Sequence, residues 1–202
     1  MAADNFVWFP TEAKGGAWVK GKATKPEGES TDDRFKDKKA LEVLSFSFAV
    51  SQAETTGSGT TGSGAGKAKF EEFQIEKYVD LASVPLYNAL VAGAHFPTVM
   101  LANRKAGGSQ LIYLQYAFRQ VFVTSISWSG GGGEEAPKET IKFKFGAMGI
   151  QYVRQKPDGS GDTMIPGYWS TTLNKPTLDM PVGMPGSDPK WMDVSQSKKA
   201  TT

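Results

Sequence analysis

Cysteine is absent from the 202-residue sequence, and histidine occurs once, at His95. The first absence excludes disulfides, thiolate nucleophiles and zinc held by cysteine. The second leaves poor material for a metal site, which draws on several His, Cys or carboxylate groups at ligand spacing. A Ser-His-Asp triad would need His95 beside an activated serine, and no G-x-S-x-G elbow occurs. No catalytic residue, metal or cofactor is therefore expected, and His95 is read as structural. Nor does one sign of charge prevail: 23 basic against 21 acidic residues leave a net charge of +2 and a pI near 8.6. Without a Lys/Arg block interleaved with aromatics, nucleic acid is not an expected partner. No apolar run reaches the roughly 18 residues of a membrane helix, so no membrane insertion is expected. Residues Met1 to Pro10 lack the basic and long apolar regions of a signal peptide. Synthesis in the cytoplasm is expected, and any export would proceed without a cleaved signal.

Glycine is plentiful, and one cluster imitates a nucleotide site. Gly57-Ser58-Gly59-Thr60-Thr61-Gly62 satisfies G-x-G-x-x-G, and Gly66-Lys67 resembles the end of a phosphate-binding loop. A dinucleotide fingerprint must lead into a helix whose N-terminus holds the pyrophosphate. Here Ala68 and Phe70, then Phe73 and Ile75, follow a period of two, with a slip at Glu71-Glu72. That is strand, not helix. The P-loop template also fails, because Thr61 and Ala68 stand where it needs glycine and Ser or Thr. The stretch reads as a loose loop joining two strands.

Most of the remaining signal is β. Leu41 to Val50 alternates, with Leu44, Phe46, Phe48 and Val50 expected inside and Val43, Ser45, Ser47 and Ala49 outside. Phe96 to Arg104 is a second strand, ended by a Gly107-Gly108 turn. Leu111 to Trp128 is a long third strand with a phase shift near Arg119-Gln120, closed by the glycines at 130 to 133. Thr140 to Val153 shifts phase between Phe145 and Met148. Such shifts are what bulges produce where a sheet curls. One helix is expected, with Ser83 as N-cap, Pro85 in its first turn and Gly93 past its end. A mainly β fold follows, a barrel or sandwich with one short helical flank. After Pro157 the alternation fades, and six of the eleven prolines lie between 157 and 202. Residues 1–156 are thus expected to form the β domain, and 157–202 an extended Pro/Met-rich extension. Tyr168-Trp169 and Trp191-Met192 give that extension apolar side chains suited to docking.

The adjacent carboxylates Asp32-Asp33, Glu71-Glu72 and Glu134-Glu135 are read as solvated. The outward set Val43, Ser45, Ser47, Ala49 is small and uncharged, whereas solvent-facing strands usually carry Lys, Glu or Thr. Such a wall suits contact with another subunit or the lining of a channel. The alternative is a monomeric β-barrel that binds a small ligand, which would need a roomy apolar interior. The inward residues are crowded with Phe, Leu and Ile.

Several separated motifs stand in the chain: Gly28-Glu29-Ser30, Val43-Leu44-Ser45-Phe46-Ser47-Phe48 with Val50-Ser51-Gln52, and Ser63-Gly64-Ala65-Gly66-Lys67. Lys77-Tyr78-Val79-Asp80, Arg104-Lys105-Ala106-Gly107-Gly108 and the Ser129 to Glu134 loop complete the set. In order and spacing they resemble the haemolysin-coregulated protein (Hcp) family of type VI secretion systems. The likeness runs from about Phe6 to Gln155. It implies a β-barrel of two curled antiparallel sheets with a flanking helix, assembled into homohexameric rings. Such rings stack into an inner tube, propelled by a contractile sheath, tipped by a spike protein and holding effector proteins in its lumen. It also implies a secreted structural protein, not an enzyme. Ser47 and Ser45 are then expected to face the lumen, Ser45 nearer the boundary, with Val43 and Ala49 at the subunit interface. Residues 15–27 stand as an insertion, and the tail of 46 residues is longer than in compact members of the family.

The loop reading is tested by calorimetry. Titration with nucleoside triphosphates or dinucleotides is expected to give no binding heat. Saturable binding abolished by Lys67→Ala would show a phosphate site instead.

Overall fold

We describe residues 3–11, 25–55, 64–106, 110–132, 136–178 and 191–192 of a computed structural model of the chain. The glycines at 57–63, most of the 15–27 segment, the Gly107-Gly108 turn, Glu134-Glu135 and most of the tail beyond residue 178 lie outside these residues. The strands are β1 (Ala3–Trp8), β2 (Leu41–Val43), β3 (Ser45–Ser47), β4 (Val50–Thr55), β5 (Gly64–Phe70) and β6 (Phe73–Tyr78). After the helix α1 (Ser83–Ala92) come β7 (His95–Lys105), β8 (Ile112–Ser129), β9 (Lys138–Lys144), β10 (Ala147–Gln155) and β11 (Gly161–Ser170). The fold is mainly β, with two antiparallel sheets and one helix, as the sequence implied. The larger sheet runs β2-β1-β7-β8-β9-β6-β3, with β10 on β8 and β11 on β10; β4 and β5 pair separately.

The long strand β8 organises this sheet. One side pairs with β7, while the other pairs with β10 along its first half and β9 along its second. The phase shift read near Arg119-Gln120 lies where those partners change, and Gln120 adopts a positive φ of 49° there. The run from Thr140 to Val153 is likewise two strands, broken at Phe145-Gly146. The expected barrel is not closed. Its path ends at β2 and β3, successive pieces of one segment bent at Leu44, and no ladder joins them.

That bend corrects one expectation. Val43 was placed outside and Leu44 inside; Val43 is 6% exposed and Leu44 46%. β2 pairs with β1, whereas β3 pairs with β6. The extra residue at the junction flips the phase, so Leu41 and Val43 point inward before it and Phe46 and Phe48 after it. Val50, also expected inside, is half exposed.

The main core lies between the sheet and α1. Phe118 is its hub, with ring centroids 4.6 Å from Phe73, 5.0 Å from Phe145 and 6.5 Å from Phe48. Leu86 and Ala89 present the buried face of α1, and Gly93 ends the helix at φ 66°, as its position predicted. Ser83 is not the cap. It is the first helical residue, and its side chain turns inward. A second apolar cluster covers the other sheet face and includes Phe6, Met100, Ala102 and Val153. Phe35 stacks on Phe6 with ring centroids 3.9 Å apart. Gly28 lets the covering loop approach, because a Cβ there would stand 2.3 Å from the Ala40 carbonyl oxygen. The loop is also tied by Arg104, which donates to Asp32 Oδ2 at 2.6 Å and to Asp4 Oδ2 at 2.8 Å. Burial opposes the Arg104 charge, but those hydrogen bonds and charges outweigh it and raise its pKa.

The segment after Pro157 differs from the extended tail that was expected. Gly161 to Ser170 forms β11, paired with β10 from Ala147↔Ser170 to Gln155↔Gly161. The sheet therefore continues past residue 156. Trp191 and Met192 pack against the second cluster.

A buried ion pair sits at the end of the main core. Lys77 on β6 and Glu139 on β9 are cross-strand partners, with Nζ 2.8 Å from Oε1 and both side chains fully buried. Lys77 also donates to Asp80 Oδ1 at 2.5 Å and to the Tyr78 carbonyl at 2.8 Å. Ser83 Oγ and Trp128 Nε1 donate to the two oxygens of Glu139 at 2.7 and 2.9 Å. Glu139→Leu would leave Lys77, Ser83 and Trp128 short of a partner. Loss of one member of such a pair is expected to cost about 3–5 kcal/mol, read as a lower urea midpoint, whereas Ser45→Ala should leave the midpoint almost unchanged.

Candidate assembly surface

The structure supplies the neighbours that Ser45 and Ser47 lacked in the sequence. Ser47 lies opposite Gln74 on β6, Gln74 opposite Lys142 on β9, and Lys142 opposite Ser125 on β8. In the next row Ser45, Glu76, Thr140 and Ser127 stand in line. Cross-strand partners share a face, so these eight residues form one polar surface over β3, β6, β9 and β8. All are exposed or half exposed. Their reverse face is core: Phe46, Ile75, Ile141 and Ile126 underlie one row. Ser45 Oγ donates to Glu76 Oε2 at 3.3 Å. With one Glu and one Lys, the surface carries no net charge.

Ser45 and Ser47 are exposed on this surface, and Ala49 is exposed just beyond it. Val43 is apart from them, buried in the subunit's own core. Sequence reasoning missed the other six members. Their signal was present in the outward positions of the Phe73–Tyr78, Lys138–Lys144 and Ile112–Ser129 alternations, but only the strand order puts them side by side.

The one arrangement that resembles chemistry is Lys77 with Ser83, Nζ to Oγ 3.4 Å. It is sealed from solvent, and the Ser83 hydroxyl is given to Glu139. A nucleophile so placed cannot meet a substrate, so the group is structural. Among the described residues no three His, Cys or acidic side chains gather as metal ligands, and no helix is long and apolar enough to cross a membrane. His95 stands half buried, its ring 5.4 Å from Phe122. The 57–63 glycines connect β4 and β5, which pair as an antiparallel hairpin with Thr55 opposite Gly64. A strand therefore leaves the loop, as the alternation indicated. An apolar cleft of about 350 Å³ opens beside that hairpin, lined by Phe48, Val50, Phe70, Tyr116, Met148 and Ile150 among others.

These elements define a curled open β fold with one flanking helix and a contiguous polar surface across four strands. The family described as type VI secretion system effector, Hcp, matches residues 17–152. The chain belongs to that Hcp family. It is similar to protein hcp1 of Pseudomonas aeruginosa, 35% identical over 97 residues, which are 48% of this chain and 60% of that relative. The match thus spans less than two thirds of that curated relative's length. A solved type six secretion system protein is 35% identical with a TM-score of 0.73, covering 86% of this chain and 99% of the other. Hcp1 from Salmonella typhimurium is 29% identical with a TM-score of 0.64, covering 87% and 99%.

Proposed function

We propose that the chain is a structural subunit of the type VI secretion inner tube. Six copies form a ring, rings stack, and the lumen carries or shelters effector proteins. The single observation that carries this reading is the eight-residue polar surface of β3, β6, β9 and β8, together with membership of the Hcp family. A channel that passes varied proteins needs a wall without large apolar patches, which would retain cargo. It also gains from low net charge, since a strong field of one sign would select cargo by charge. Ser47 faces the lumen from the β3 end of this wall, and Ser45, on the same strand, lies nearer the subunit boundary. Ala49 stands nearest the neighbouring subunit. The partners that follow are other copies of the chain, a spike protein at the tip, a contractile sheath outside and effectors inside. The chain is made in the cytoplasm and leaves the cell with the tube, as part of its wall.

A monomeric ligand-binding barrel is the second reading, and the apolar cleft beside the hairpin is what favours it. Its volume is at the small end of ligand sites. Among the described residues the interior of the curled sheet is packed with Phe46, Phe73, Phe118 and Phe143, which argues against a roomy interior.

Two measurements separate these readings. Light scattering on the purified chain is expected to give a mass near six times the 21.8 kDa subunit; a stable monomer at micromolar concentration counts for the ligand-binding barrel. Ser47→Arg is then expected to leave the ring intact, because an outward side chain adds no strain to the core. Six added cations in the lumen should lower co-purification of effectors severalfold. Insoluble protein or monomers from Ser47→Arg would place Ser47 at a tight contact instead.

A further inference from the structure

We propose that Gln115, Gly149, Gln151 and Tyr168 form a docking site for an extended peptide carrying an aromatic residue, and that the chain's own Trp191-Met192 fills it. Gln115 and Gln151 are almost fully buried, at 1% and 5% exposure. An amide buried on a sheet face must find hydrogen-bond partners or weaken the fold. Gln115 finds them in the tail. Its Oε1 accepts from the Met192 N–H at 2.9 Å, and its Nε2 donates to the Met192 carbonyl at 3.2 Å. The same Nε2 reaches Gln151 Oε1 at 3.1 Å, which fixes the orientation of the amide. One side-chain amide thus reads both backbone groups of one residue, as a neighbouring strand would. This contact is indifferent to the side chain at 192.

Selectivity lies at 191. The Trp191 ring lies 6.5 Å from the Tyr168 ring, tilted by 33°. Gly149 provides the room: a Cβ there would stand 3.0 Å from Tyr168 Cδ1 and 3.3 Å from the Trp191 ring. A Cβ at 149 would already force the two rings to give by a few tenths of an ångström, and a larger side chain would displace them further. The site therefore combines a backbone clamp with an aromatic slot, and both parts belong to the body of the sheet, on β8, β10 and β11. Trp191 and Met192 also pack against the second apolar cluster, so their departure would bare part of it. This site is separate from the polar surface, and it exists in the single subunit whether or not rings form.

The test uses the full chain and a labelled peptide of residues 188–195, Asp-Pro-Lys-Trp-Met-Asp-Val-Ser. Trp191→Ala empties the slot, and the peptide is expected to bind this variant saturably, at least about ten-fold tighter than the wild type, whose site is already filled. Adding Gln115→Met, which keeps the size but not the clamp, should weaken that binding about ten-fold. No saturable binding to Trp191→Ala, or binding unaffected by Gln115→Met, would overturn the proposal. Hydrogen exchange gives an independent reading that needs no peptide. The Met192 amide should exchange slowly in the wild type and faster in Gln115→Met, while the core amides of β8 stay protected in both. Exchange of Met192 at the free-peptide rate in the wild type would equally overturn it.

Discussion

The Lys77–Glu139 pair holds the arrangement in place. It continues the inward row that begins with Phe73–Phe143 and Ile75–Ile141 on β6 and β9. A one-residue slip of β6 against β9 would turn Lys77 to the outer face and leave Glu139 buried without its cation, at a cost of several kcal/mol. Apolar rows tolerate a slip poorly, but a charged row tolerates it worse. The pair also reaches outside its own sheet rungs, because Ser83 starts α1 and Trp128 lies on β8. One buried group therefore sets the register of β6 and β9, the start of the helix and the position of the long strand. With that register fixed, Gln74, Glu76, Thr140 and Lys142 have no choice but to face out. The polar surface is the far side of the same decision.

Strands were legible wherever one face is buried. Leu111 to Trp128 and Thr140 to Val153 alternate and lie in strands, the second broken at Phe145-Gly146, and Phe96 to Arg104, with the apolar run Val99 to Ala102 and both faces buried, is strand as well. β11 was not legible, since most of its side chains are exposed or half exposed and Gly161, Pro166 and Gly167 interrupt any pattern. Its place comes from backbone pairing to β10, which the side chains do not advertise. The reversal at Val43 and Leu44 was hidden for another reason. Period two gives the faces of a strand but not the point where the chain bends into a new partner. Closure of the sheet is hidden likewise, because alternation is the same in an open curl and in a barrel.

Lys77 was the least visible of the important residues. In Phe73-Gln74-Ile75-Glu76-Lys77-Tyr78 it occupies the inward phase, yet a lysine in that phase ordinarily marks the end of burial. Its meaning depends on Glu139, which is 62 residues later in the numbering, and no local pattern links them. The candidate surface shows the same limit. Ser45 and Ser47 stood out through the lack of charge around them, but Ser125, Ser127, Thr140 and Lys142 looked like ordinary outward positions. A surface is a property of strand order, and the order is set by long-range pairing.

The outer strand β11 bears on how such a subunit can associate. Among the described residues β10 is its one strand partner, with a single bridge from Ser170 to Lys175 at its end, so it is an edge. An exposed edge is a template for indefinite pairing between copies. Here Pro166 sits in the middle of the edge, opposite Gln151, and removes one donor from the ladder. Gly161 and Gly167 weaken the strand further, and Arg154 and Lys156 place positive charge beside Asp162 at its start. Edge-to-edge growth is thus discouraged in a chain whose main sheet is otherwise strongly apolar on one face. Association through side-chain surfaces with a fixed rotation remains open to it, and that is the type of contact that closes into a ring and stops.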